Sequence, residues 1–269
     1  MTAVQERRDL VTEEAALRLE GVTVQFGGVR ALDDVSVAAR AGEVTGLIGP
    51  NGAGKSTLLA VASGLQPPVS GEVFVEGARL TGRAPQAYAK ARMSRTFQSP
   101  QLVKDLDVRQ HLVLSFRVRT GRNLWADLKS AFGPKMTKDE RERADLLLAS
   151  LGLSDVAPLG PAELPLGTRR LVGVAQCVAM DPKVLLLDEP TAGLNKRETD
   201  RFASLVTNLS KERGIATVLV EHDIDLVLSI SSRIFVLDFG KLIASGTPPE
   251  IRKDRAVQAA YIGSTEVGA

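Results

Sequence analysis

Cysteine is almost missing from this sequence: Cys177 stands alone among 269 residues. An intrachain disulfide and a cysteine-built zinc cluster are both excluded, which fits a reducing compartment. Aromatic residues are scarce, at 4%, so there is little material for a base-stacking surface. No excess of one charge exists either. Lysine and arginine total 34 against 32 acidic residues, a net +2, so the broad positive field that a nucleic-acid module needs is absent. Long apolar runs are also lacking. Aliphatic stretches such as residues 184–187 have the length of a core strand, far short of the roughly 20 apolar residues of a membrane helix. Residues 1–16 are polar and charged, with no apolar segment of signal-peptide length, so a frayed tail and no export are expected.

What is present is ordinary globular material, 44% hydrophobic and 25% charged, enough to bury a substantial core. Leu17, Leu19, Val22, Val24 and Phe26 alternate with polar residues, with an offset at Gly21, which predicts a half-buried antiparallel strand. Similar segments cover residues 32–37 and 72–76. The run at residues 44–48 ends at Gly49 and passes through a glycine-rich loop into a predicted helix at residues 55–62. Residues 108–149 read as two or three short helices interrupted by Gly121, Gly133 and Pro134, with Ala144, Leu147, Leu148 and Leu151 on one apolar face and Gly152 closing the last. Strands at 184–187, 216–221 and 234–237 then alternate with helices at 196–212 and 224–231, the pattern of a parallel sheet with crossover helices.

Chemistry concentrates at two places. Gly49-Pro50-Asn51-Gly52-Ala53-Gly54-Lys55-Ser56 matches G-x-x-x-x-G-K-[ST] in its required context of strand, loop and helix. Glycines let successive backbone N–H groups point at phosphate oxygens, and the helix N-terminus adds partial positive charge. Lys55 is suited to the β- and γ-phosphates, the Ser56 hydroxyl to Mg²⁺, and Thr57 follows in the same turn. Chance would produce this pattern in about one chain in a hundred of this length, before its context is counted. Downstream, four aliphatic residues lead into Asp188-Glu189-Pro190, which places two carboxylates at the C-terminal end of a buried strand. Asp188 is suited to hold Mg²⁺ and Glu189 to polarise an attacking water. Taken alone, that pair reads better as a solvated acidic turn; below a phosphate loop it does not.

With these motifs the chain resembles the ABC-transporter ATPases from residue 17 to residue 263. Leu164-Pro165-Leu166-Gly167-Thr168 stands where that family has its signature loop, and Arg95-Thr96-Phe97-Gln98 is similar to its Q-loop. Ala192-Gly193-Leu194-Asn195 is similar to its D-loop and Val220-Glu221-His222-Asp223 to its switch-histidine segment. Phe26 falls where the family stacks an aromatic on adenine, although a plain core role is the alternative. The resemblance implies an α/β fold: a P-loop NTPase core with a mainly parallel sheet, an antiparallel β subdomain and a helical subdomain inserted at about residues 100–165, between tails at 1–16 and 264–269. It implies ATP and Mg²⁺ as cofactors, Gln98 completing the Mg²⁺ shell, and His222 holding the γ-phosphate and the attacking water with Glu189. It further implies ATP sandwiched between the phosphate loop of one chain and the signature, with Gly167, of another. Two permease subunits, and indirectly a solute-binding protein, complete the implied assembly at the cytoplasmic face of the inner membrane, with no nucleic acid.

The signature departs from the family pattern. Pro165 replaces a serine and has neither a hydroxyl nor an N–H, Leu166 and Thr168 replace glycine and glutamine, and the D-loop carries Asn195 in place of aspartate. That weakness favours a paralogous second cassette over a self-pair. Residues 188–195, Glu221-His222-Asp223 and the ending Ala260-Tyr261-Ile262-Gly263 resemble the ATPases of branched-chain amino-acid importers, which also carry an extended helical stretch after the Q-loop, here residues 112–137 with Trp125. Relatives of that group import urea and small amides, and one powers lipopolysaccharide export. A soluble ABC ATPase of DNA repair or translation is the other class, but the coiled-coil insertions, zinc cysteines or second cassette of such proteins are missing here.

Overall fold

Alternation along the first segment breaks at a glycine, and the backbone follows it. In the computed structural model, which describes residues 14–97, 101–120 and 136–262, β1 (Leu17–Phe26) buries Leu17 and Leu19 and then Val22 and Val24. Gly21 lies between these pairs at φ 58°. The register against β2 (Val29–Ala39) slips there from Leu19↔Val37 to Val22↔Val35. One extra residue on β1 restores the inward phase, which is the work of a β-bulge. β2 outruns the 32–37 segment expected from sequence because pairing continues to the tip of the hairpin, Phe26↔Val29.

The chain continues with β3 (Val44–Ile48), α1 (Lys55–Ala62), β4 (Ser70–Val75), β5 (Ala78–Arg79), α2 (Pro85–Lys90) and β6 (Met93–Arg95). Helices α3 (Val108–Arg119), α4 (Lys138–Ser150) and α5 (Leu166–Ala179) come next. Then follow β7 (Val184–Asp188), α6 (Lys196–Arg213), β8 (Ala216–Val220), α7 (Ile224–Ile230), β9 (Arg233–Asp238), β10 (Lys241–Gly246), α8 (Pro248–Lys253) and α9 (Arg255–Ile262). Two compact units divide these elements, one formed by residues 1–93, 183–189 and 206–269 and the other by 94–182 and 190–205.

In the first unit, an antiparallel sheet of order β2-β1-β4-β5 accompanies a sheet of order β10-β9-β3-β8-β7-β6. β3 runs parallel to β8 on one side and β9 on the other, and β7 runs parallel to β8. All five residues of β3, β7 and β8 are buried, as the near-continuous apolar runs of a covered parallel sheet require. Leu17, Val24, Leu32, Leu47, Leu59, Val73, Leu186 and Phe235 belong to one core cluster. Each such side chain contributes on the order of 1.5–3 kcal/mol on burial. This core fixes the C-terminal ends of β3, β7 and β8 side by side.

The second unit is helical. Asp107 and Thr137 start α3 and α4 with capping boxes closed by Gln110 and Glu140, a start that satisfies otherwise orphaned N–H groups. Ala144, Leu147 and Leu148 are buried on α4, and Gly152 follows that helix at φ 66°. Arg117 meets Glu140 through two parallel bonds, Nε to Oε1 at 2.8 Å and a second nitrogen to Oε2 at 2.7 Å, which ties the end of α3 to the start of α4. Gly121, Trp125, Gly133, Pro134, the Q-loop residue Gln98 and the two tails beyond residues 14 and 262 lie outside the described residues.

Candidate nucleotide site

Because β3 is buried along its whole length, its end delivers Gly49 to the C-terminal edge of the sheet, where α/β folds bind ligands. Gly49 has φ 153°, and a Cβ there would stand 2.1 Å from the Leu237 carbonyl oxygen. Only glycine lets the loop leave the sheet this closely. After Pro50, Asn51, Gly52 and Ala53, Gly54 caps α1 in the left-handed conformation at φ 103°, with a hypothetical Cβ 2.7 Å from the Ala31 oxygen. No side chain caps α1 and no acidic residue stands in its first turn. Its leading N–H groups, with the helix dipole behind them, face outward for an anion.

Lys55 is 7% exposed, and its ammonium donates to the carbonyl oxygens of Gly49 at 2.7 Å and Pro50 at 2.8 Å. Burial lowers its pKa, while the nearby carboxylates of Glu189 and Asp188 oppose that shift. The lysine therefore shares one electrostatic environment with both strand-end acids. Ser56 is exposed and Thr57 half-buried on the same turn.

Asp188 ends β7 beside Val220 of β8 and is buried. Glu189, the next residue, adopts a left-handed backbone at φ 49°, and its N–H donates to the Val220 oxygen at 2.9 Å. A non-glycine residue held there costs about 1 kcal/mol or more, strain that clusters where a side chain must be aimed. The aim here is toward His222, whose Nε2 donates to Glu189 Oε1 at 2.8 Å. Asp223 accepts from Leu226 N–H at 3.0 Å and starts α7, which fixes the turn carrying His222. A carboxylate paired with an imidazole beside a phosphate loop can orient a water and accept its proton.

The other candidates fall as follows. Phe26 closes the β1–β2 hairpin at 50% exposure, so the core alternative for it is excluded. Gly167 is the second residue of α5, behind Pro165. It faces the turn of its own unit: a Cβ there would meet Leu194 at 2.6 Å and the Gly193 oxygen at 3.2 Å. Arg170 donates to the Ala192 carbonyl of the same turn. Asn195 accepts from Glu198 N–H at 3.1 Å while Glu198 accepts from Asn195 N–H at 2.8 Å. Asparagine thus does at the start of α6 what an aspartate does equally well, capping a helix. Among the described residues no group of three or more His, Cys, Asp or Glu gathers for a metal, and no helix is long and apolar enough to cross a membrane. The sequence reading missed the part of the last helix: Ala259, Ala260 and Tyr261 line a cavity of about 650 Å³ with Gly49–Ala53, His222, Asp238 and Phe239. Their distance from the loop in sequence gave no sign of it.

Comparison with known proteins decides the family. Residues 32–192 match the family model for the ABC transporter. The chain belongs to the ABC transporter ATPase family. Residues 241–267 of this ABC ATPase also match the model named branched-chain amino acid ATP-binding cassette transporter. It is 34% identical over 250 residues to the high-affinity branched-chain amino acid transport ATP-binding protein BraF of Pseudomonas aeruginosa, covering 92% of this chain and 97% of that one. The corresponding protein LivG of Escherichia coli is 33% identical over 248 residues, with the same coverage. Among solved structures, a nucleotide-free ATP-binding cassette from an ABC transporter superposes with TM-score 0.81 at 31% identity, over 93% of this chain and 99% of that one. The ADP conformation of such a cassette gives 0.80 at 31% over the same shares. The fold is therefore that of an ABC cassette, and the ABC ATPase binds ATP and hydrolyses it as a subunit of a transporter.

Proposed function

We propose that this ABC ATPase powers import of branched-chain amino acids, peripheral at the cytoplasmic face of the inner membrane. It works there with a second cassette, two permease subunits and a solute-binding protein that delivers the cargo. The observation that supports this cargo is the coincidence of two matches: the 241–267 segment fits a branched-chain amino acid cassette model, and the relatives aligned along nearly the whole chain carry names of that transport.

In this reading the loop Gly49–Ser56 and Thr57 cradle the phosphates of ATP, Lys55 neutralises the β- and γ-phosphates, and Phe26 stacks on the adenine. Ser56 and Asp188 would hold Mg²⁺, and Gln98 would complete its shell. Two oxygen donors without an all-protein cage suit Mg²⁺, which keeps waters and phosphate oxygens among its six ligands. When bound, Mg²⁺ supplies positive charge to the phosphate oxygens. Glu189 orients the attacking water and takes its proton, and His222 holds Glu189 in place and contacts the γ-phosphate. Gly167 and its neighbours cover the nucleotide of the partner cassette. Pro165 offers that nucleotide no hydrogen bond, so a paralogous partner with a donating signature would leave one strong site, made from this chain's loop.

The test is reconstitution of the chain with its permease and second cassette in liposomes loaded with Mg-ATP, with labelled leucine, isoleucine and valine outside together with the binding protein. ATP-dependent accumulation of these amino acids, lost with Lys55→Ala, is expected. Robust ATP hydrolysis coupled to another solute, with none of the three transported, would overturn the cargo.

A further inference from the structure

Two hairpin turns of the first unit share one backbone form and differ in their surroundings. Glu76-Gly77 joins β4 to β5 and Phe239-Gly240 joins β9 to β10, each two residues long. Both residues of each turn take positive φ, 48° and 76° in the first, 42° and 76° in the second, a form matched to the twist of a tight hairpin. A Cβ on Gly77 would meet nothing within 4 Å. On Gly240 it would stand 2.6 Å from the Ala31 oxygen and 3.0 Å from the Ala31 carbonyl carbon, both on β2. Turn chemistry alone asks for glycine at the first. At the second, a neighbouring strand requires it as well.

That strand is joined to the phosphate loop through Gly240. Gly240 N–H donates to the Ala53 oxygen at 3.1 Å, and the Gly240 carbonyl accepts from Asp33 N–H at 2.8 Å. Gly54 approaches the same Ala31 oxygen from the loop side, with a hypothetical Cβ at 2.7 Å, so one β2 carbonyl is gripped between two glycines. Arg30 and Lys241 meet the Asp33 carboxylate at 2.7 Å and 3.5 Å, but exposed ion pairs add little. The peptide bridge is what fixes the spacing. From there β2 pairs with β1 through Val24↔Leu32, Gln25↔Arg30 and Phe26↔Val29, which leads from the bridge to Phe26.

We infer, on the reading of the loop as the phosphate cradle and of Phe26 as the adenine stack, that Gly240 is a positioning residue of the ATP site. The β9–β10 turn is a spacer that sets the distance from Phe26 to the loop. ATP is held at both ends only where that distance matches its length, whereas a ligand made of phosphates alone does not sense it. A methyl group at Gly240 meets backbone, which cannot swing aside as a side chain can, so β2 and its hairpin tip must shift away from the loop. Phosphate binding survives that shift and the contribution of the base does not.

To test the bridge, the isolated full-length chain is titrated with ATP and, separately, with inorganic tripolyphosphate at one fixed Mg²⁺ concentration. Phe26→Ala should weaken ATP at least about fivefold, the lower end of what base stacking contributes, and leave tripolyphosphate unchanged. Gly240→Ala should do the same. The double variant should lose no more than either single one, since one spacing serves both. Gly77→Ala carries the same backbone cost without the collision, away from the cavity at the loop, and should keep both affinities. In the wild type, where folding is not at issue, saturating ATP should slow amide exchange at Asp33 and Gly240 more than saturating tripolyphosphate does, with the Gly77 amide unmoved. Equal weakening of both ligands by Gly240→Ala, no weakening, or full additivity with Phe26→Ala overturns the bridge. So does exchange at Asp33 and Gly240 that is the same under both ligands, a result that decides the matter even if Gly240→Ala does not fold. A wild-type chain that binds neither ligand, or Phe26→Ala without effect on ATP, overturns the reading of the site itself, and both results are obtained without any change at Gly240.

Discussion

Helices α1 and α5 both begin at a glycine-containing motif, yet they begin in opposite ways. At α1 no side chain caps the first turn, and the glycines are required by close approach to the protein's own sheet, leaving the outward N–H groups to a ligand. At α5 the start is closed upon its own unit. Arg169 donates from Nε to the Leu164 oxygen at 3.0 Å and Arg170 donates to Ala192, while Gly167 is jammed against the 193–194 turn. The guanidinium groups that could have met a phosphate are engaged with backbone. The first motif thus leaves its helix start uncapped by any side chain, while the second joins a helix to the turn that starts the next one.

The largest effect that sharpens this contrast concerns hydrolysis. Glu189→Gln should keep ATP binding but lower turnover by roughly 10²–10⁴-fold, as for a lost general base, and the variant should accumulate as an ATP-bound dimer. In a reconstituted heterodimer the change in this chain should remove most activity, and the equivalent change in the partner should remove little. Single-turnover assays of each singly changed pair decide it; the reverse asymmetry would mean that the α5 motif is the stronger of the two. Next in size is Lys55→Ala. It removes the cation facing the phosphates and two bonds to the loop, so affinity measured by titration should fall at least tenfold, about 1.4 kcal/mol.

Much of the contrast was legible in sequence. Glycine, lysine and serine at fixed spacing between an apolar run and a helix leave few alternatives, because backbone approach and strand-end position are local properties. The carboxylates after residues 184–187 were readable for the same reason. What escaped was non-local. The ending with Ala260 and Tyr261 was read only as a resemblance, and its place in the C-terminal wall of the site went unread because nothing local ties it to the loop. The packing of Gly167 on Leu194 and Gly193 was not readable either, because only tertiary packing creates that encounter. The short strand Ala78–Arg79 was missed because two residues show no alternation. The offset at Gly21 was visible because a bulge changes the phase of a pattern on both sides of it.

Acid should loosen the second unit through Glu140. Its pKa is lowered to about 2, first by the hydrogen bond from Arg117 and further by Thr137, against some opposing burial. A carboxyl depressed in the folded state stabilises at pH above its unfolded value of 4.5, and that contribution is lost as pH falls toward about 2. Roughly 2 kcal/mol should disappear over this window. Denaturant titrations at pH 6 and pH 3 should show the loss in wild type, and Glu140→Gln should flatten it. An equal acid loss in the variant would assign the effect to other carboxylates.

The smallest effect tests the closed start of α5 most directly. Alanine in place of a helical glycine normally stabilises by up to about 1 kcal/mol. At Gly167 the new methyl would meet the end of the Leu194 side chain at 2.6 Å and the Gly193 oxygen at 3.2 Å. Leu194 can swing aside but the carbonyl cannot, and overpacking of this kind typically costs about 1–3 kcal/mol. The clash should win narrowly, leaving Gly167→Ala destabilised by about 1 kcal/mol and its melting temperature lower by about 2–4 °C. ATP affinity of the isolated chain should stay at the wild-type value, because the α1 loop is untouched. The displaced 193–194 turn should instead slow hydrolysis in the assembled pair. If Gly167→Ala melts higher than wild type, the helix-propensity gain has prevailed and the turn is not pressed upon this glycine. If the single chain loses ATP affinity while keeping its stability, the two motifs are coupled within one chain, and the division between an open α1 and a closed α5 fails.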